Sequence, residues 1–187
     1  RRRAGVNARH LVLLAALACS AAWWLALRPD PVSREATAMP SGCPLPPRVA
    51  SGDAPLQTGV PAGLALPGVG DAGTTPLAGF SVEARVLGRE DYRFDREADY
   101  APTDLALGWG RMTEDAVVAR LDIRQSGRWY RYRWQGDPPI PLAEIVRSSA
   151  NMHMVPANDA VAADLARVGE GNRVRVYGWL VQLDRPG

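Results

Sequence analysis

The stretch FSVEARVL, Phe80 to Leu87, decides how this chain folds. Phe80, Val82, Ala84 and Val86 fall on one side of an extended backbone, and Glu83 and Arg85 on the other. Alternation with a period of two marks a strand with one face against a core. A second stretch of this kind, RVRVYGWLVQL from Arg173 to Leu183, follows the turn GEGN. Its pattern V-x-V-x-G-x-L-V after a Gly-rich turn predicts an OB-type barrel strand, with Gly178 permitting a sharp bend. Between the two, RWYRYRW from Arg128 to Trp134 predicts another strand, ended by Asp137-Pro138-Pro139.

Short helices fill the remainder. Thr113 can cap TEDAVVARL, with Glu114 and Asp115 favourably placed in the first turn. Pro141 can open a helix through Ile145, and Asn158 can cap DAVAADLARV, which ends before Gly169. The expected fold is α+β: a small curled sheet or partial, OB-like barrel with short helices over residues 78–187.

Outward from that domain the composition changes. Residues 28–77 hold ten of the sixteen Pro and seven of the eighteen Gly, with no sustained apolar period. Such a segment buries too little surface to offset the ordering of its backbone, so it reads as a disordered Pro/Gly-rich linker. Before it, RRRAGVNARH precedes LVLLAALACSAAWWLAL, Leu11 to Leu27, which carries no charge. At 1.5 Å per residue this helix would span about 26 Å, enough for a thin membrane core. The Arg cluster should stay cytoplasmic, which sends the rest of the chain outside. Residues 1–27 therefore read as a tail and transmembrane signal anchor in the bacterial inner membrane, leaving the domain in the periplasm. Ala16-Leu17-Ala18 also matches a signal-peptidase site, and the same residues with Cys19 form a loose lipobox.

The absence of residues excludes chemistry. All 22 basic residues are Arg. Without Lys there is no Walker A loop, no PLP Schiff base and no Ser-Lys hydrolase. No CxxC or CxxCH occurs, so thiol-redox and c-type haem sites are excluded as well. Of the net charge of +2, the first 27 residues supply four Arg and no acid, whereas residues 78–187 hold fifteen Arg and sixteen acids. A near-neutral domain argues against nucleic acid as a partner. Inner membrane through Leu11–Leu27, envelope proteins or an anionic ligand remain as partners.

Four constellations could carry function. In RWYRYRW, Tyr130, Tyr132 and Trp134 read as a buried aromatic face, and Arg131 and Arg133 as a solvent face that an anionic glycan or lipid head group could use. Asp95-x-Glu97-x-Asp99 resembles the start of a calcium loop, but Tyr100 stands where an EF-hand needs Gly. Trp109, between Gly108 and Gly110, suits a pocket floor or a core plug. Finally SSANMHMVPAND, Ser148 to Asp159, holds His153, the only His outside the first ten residues. His153, Asn151 and Asp104 are the candidates for catalysis. No G-x-S-x-G elbow surrounds Ser148 or Ser149, and one His offers too few ligands for zinc, so no metal or other cofactor is expected. Asn151 and His153 flanked by Met152 and Met154 fit a structured turn.

The motifs DLALGWGRM, SANMHMVPA and GNRVRVYGWLV together resemble a family of uncharacterised bacterial proteins with an N-terminal membrane segment. The resemblance covers about residues 80–183 and implies the membrane tether and the architecture, with no assigned activity. In that family a His commonly stands immediately before S-A-N-M-H, where this chain has Ser148, so a paired-His metal site is not implied here. The family also continues past this chain's end with another strand-like segment, which implies a truncated C-terminus. The reading is a membrane-tethered periplasmic binding or structural domain using Trp109, Asn151, His153, Arg131 and Arg133. The alternative is a hydrolytic or metal-assisted enzyme centred on His153.

Overall fold

The computed structural model describes residues 45–185. The expected anchor at Leu11–Leu27 lies outside them, and among the described residues no helix is long and apolar enough to cross a membrane. Seven strands and three short helices follow in the order β1 (Leu56–Thr58), β2 (Gly73–Asp91), β3 (Thr103–Gly108), α1 (Asp115–Val118), β4 (Asp122–Ser126), β5 (Trp129–Arg133), α2 (Leu142–Arg147), β6 (Ser149–Met154), α3 (Asp159–Arg167) and β7 (Arg173–Asp184). A 3-10 turn, Gly110–Thr113, joins β3 to α1.

FSVEARVL is the centre of a strand 19 residues long. Its length lets β2 serve several partners, all antiparallel. β7 pairs along one edge from Gly73 to Arg85, while β1 and β3 take the other. β6 pairs with β3 beyond. The sheet does not close, which corrects the barrel expectation: β7 and β6 are its two ends, and no ladder joins them. Gly178 accordingly makes no corner. It sits in regular register opposite Phe80, and a Cβ there would meet nothing within 4 Å. Bending is instead left to two bulges in β2, at Leu77 and Leu87, where one extra residue breaks the ladder.

Order also begins earlier than composition suggests. β2 starts at Gly73, and β1 lies within the expected linker. Val49 is buried, with its N–H donating to the buried Ser81 hydroxyl at 2.8 Å. Residues 45–77 contribute pairing and burial despite their Pro and Gly, because a neighbouring edge of β2 satisfies their backbone.

β3 is buried along its whole length and separates two apolar clusters. Leu105 and Leu107 join Phe80, Val82, Ala84, Val86 and Leu165 of α3 on one face. On the other, Ala106 meets Leu87, Met112, Val117, Ile140 and Ile145. Gly108 ends β3 where the chain must pass close to itself. A Cβ there would lie 2.8 Å from the Leu87 side chain and 2.9 Å from the Met112 carbonyl oxygen, so this position of the GWG motif is a packing requirement. Asn158 caps α3 as expected, its side chain accepting from Val161 N–H at 3.0 Å. TEDAVVARL shortens to one turn, and SSANMHM, expected as a turn, is the edge strand β6. Arg128, expected to begin a strand, lies instead in the β4–β5 turn.

Candidate functional site

A strand reading of β3 and β6 accounts for the site. Asp104 stands directly opposite His153, and Ala106 opposite Asn151. Residues opposite each other or two apart share a face, so Asp104, Asn151 and His153 project together, on the side of the sheet covered by the β4–β5 hairpin. The Asp104 side chain has no solvent exposure, whereas His153 is 46% exposed.

A buried carboxylate survives only with partners, and Asp104 has three donors. His153 Nδ1 lies 2.8 Å and Arg128 Nη1 2.9 Å from Oδ1, and Asn151 Nδ2 donates to Oδ2 at 2.9 Å. Each donor is held in turn. Asn151 also donates to the Arg128 carbonyl at 3.2 Å, and its Oδ1 accepts from Gln125 Nε2 at 2.8 Å. Arg128 forks onto Asp95 at 2.7 and 3.0 Å and reaches the Ala101 carbonyl at 2.7 Å. Its guanidinium lies over the Tyr92 ring, 3.8 Å from the centroid, and the Arg128 backbone N–H donates to the Tyr92 hydroxyl at 2.9 Å. Hydrogen bonding from Arg128 holds the Asp95 carboxyl below the usual carboxylate range. Burial pushes the Tyr92 phenol up.

An ionised carboxylate can only accept, so Nδ1 of His153 carries a proton, and in the neutral ring Nε2 is left as a lone-pair acceptor. It belongs to a side chain lining an open groove of about 630 Å³, together with Glu97, Trp129, Tyr130 and Asn151. Such an Nε2 can accept a hydrogen bond from a ligand, take a proton from a bound water, or bind a metal ion. Among the described residues no three His, Cys, Asp or Glu side chains are arranged to hold a metal. Among the described residues no Ser, Thr or Cys lines the groove.

The three residues singled out together as catalytic candidates are therefore brought together. Trp109 is not. It packs against the first apolar cluster, as a plug would. Arg131 and Arg133 lie on the exposed face of β5, while Tyr130, Tyr132 and Trp134 turn inward against the second cluster. Asp95 and Glu97 do not start a metal loop; both face the Arg128 guanidinium, Glu97 at 3.9 Å. Ser148 follows α2 and accepts from Trp109 N–H through its carbonyl, away from the His153 end of β6.

Sequence reasoning missed Arg128, Gln125 and Tyr92. Arg128 has φ of 69°, alone among the described non-glycine residues in the left-handed region, and follows Gly127 at φ of 57°. That pair forms a two-residue hairpin turn of the primed type. Nothing in SGRW signals it, since the second position of such a turn favours Gly over Arg. The chain matches no known protein family, and neither a curated protein nor a solved structure matches it.

Proposed function

We propose that this chain is a ligand-binding domain, tethered to the inner membrane and facing the periplasm, whose recognition group is His153 Nε2. The observation that carries the reading is the 2.8 Å contact between His153 Nδ1 and the fully buried Asp104. It fixes both the ring and its tautomer, so the groove offers an acceptor in a constant position, beside the exposed Trp129 ring and the Glu97 carboxylate. The ligand it suits is a small molecule with an O–H or N–H donor and a flat or apolar part to lie against the indole.

The test is ¹H–¹³C NMR of the His153 Cε1 resonance in the full chain, with His10 replaced by Asn so that one histidine remains. Small-molecule donors are expected to shift that resonance, and Trp129→Ala to weaken the shift. His153→Ala is expected to fold, losing no more than about 1 kcal/mol, because its partner keeps two other donors. An unfolded His153→Ala would return this residue to a purely structural role.

The same hydrogen bond favours a second reading, in which His153 is the base of a hydrolytic or metal-assisted enzyme acting through a bound water. Elemental analysis of the purified full chain separates the two: a stoichiometric metal lost in His153→Ala supports the enzyme. The tether is tested apart from either. Alkaline phosphatase fused after Gly187 should be active in a bacterial host, and an inactive fusion sinks the orientation.

A further inference from the structure

The outward face of the β4–β5 hairpin is a second surface, which meets the His153 groove at Trp129. On it Asp122 stands opposite Arg133, Arg124 opposite Arg131, and Ser126 opposite Trp129, all exposed. Arg124 bonds Asp122 at 3.0 Å. Arg131 and Arg133 make no ion pair among the described residues, and they stand roughly 7 Å apart on one face. The face thus carries three guanidinium groups against one carboxylate. Trp129 on this face is 68% exposed, and Phe94, in the loop that bonds the hairpin turn through Asp95, is 98% exposed. Phe94 adjoins Asp95, which grips Arg128, the residue before Trp129.

We propose that this face docks on an anionic phospholipid surface. Guanidinium groups match phosphate oxygens in pairs, which an ammonium does not. The Trp129 indole beside them gains from the head-group boundary, as does an exposed phenyl ring in the adjoining loop, because apolar area leaves water while charges stay hydrated. A soluble anionic glycan would satisfy the arginines and stack on Trp129, but it leaves Phe94 without a role. The surface lies on the solvent side of β5, opposite the aromatic residues that cover the core, so docking requires no change in the fold. It does not depend on the segment at Leu11–Leu27, because a domain free in solution would bind the same surface.

The experiment uses the full chain with Cys19 and Cys43 replaced by Ser and a nitrobenzoxadiazole label on Ser126→Cys, assembled with lipid nanodiscs. In discs containing phosphatidylglycerol the label should be shielded from iodide, and in discs of phosphatidylcholine alone it should not. Each arginine near such a surface contributes roughly fivefold in affinity, so Arg131→Gln with Arg133→Gln should abolish the shielding. Arg131→Lys with Arg133→Lys should keep most of it, and salt at about 0.5 M should reverse it. Equal quenching in the two kinds of disc overturns the proposal. So does alginate shielding the label as well in lipid-free detergent, which would make the occupant a glycan.

Discussion

Replacing Asp104 by alanine is expected to remove about 3–5 kcal/mol of folding stability, measured by denaturant unfolding of the full chain. The size follows from what the change leaves behind. The Arg128 side chain is only 12% exposed and would keep its charge with one carboxylate fewer against it. Asn151 and His153 would lose the acceptor that orients them. Asp104→Asn is a sharper probe. Three donors converge on two carboxylate oxygens, and an amide offers only one oxygen. Its NH₂ group would face either the His153 and Arg128 donors or the Asn151 amide. Asn151 cannot relieve this by turning over, because Gln125 already donates to its oxygen. The asparagine variant should therefore lose about 1–3 kcal/mol despite its matching shape. A loss under about 1 kcal/mol in the alanine variant would mean that Asp104 is solvated and that the tautomer of His153 is not fixed.

The contrast between Asp104 and His153 shows how far the sequence could be read. Both were recognisable as the few residues capable of chemistry, because Lys, a second His and a nucleophile elbow are missing from residues 78–187. Their juxtaposition was not, because SANMHM was read as a turn. Its polar Ser149, Asn151 and His153 alternate strictly with apolar Ala150, Met152 and Met154, the period of two that marks a strand. What it lacks is strand composition: it has no β-branched or aromatic residue like those of FSVEARVL, and Asn is depleted in strands, so residue type masked the period. Residue type also misled the reading of residues 45–77. Pro and Gly density indicates a chain that cannot form its own core, yet this segment needs none, since β2 supplies one. The open sheet has a similar cause. Closure depends on whether β6 and β7 meet, a relation between distant strands on which the local pattern V-x-V-x-G is silent.

Arg128 is the residue whose role depends most on long-range structure, and Arg128→Gly is expected to lose about 2–4 kcal/mol, read by the same unfolding measurement. Two effects oppose each other. At φ of 69° the arginine backbone is strained, and glycine would relieve roughly 1 kcal/mol. On turn chemistry alone the variant should be more stable. Against this stand the fork onto Asp95, the bonds to Asp104 and the Ala101 carbonyl, and the contact with the Tyr92 ring. Removing the guanidinium leaves Asp104, with no solvent exposure, facing only the His153 ring and an amide. The buried-charge penalty exceeds the strain relief, so the loss wins. The acid limb carries a second signature. Asp95 has its pKa lowered by Arg128, so its contribution to stability is present above the unfolded carboxyl value of about 3.9 and lost as pH falls below it. In Arg128→Gly that part of the pH dependence should flatten. A variant more stable than the parent would show that the turn, rather than the ion-pair cluster, dominates here. It would leave His153 oriented by a carboxylate that needs no guanidinium.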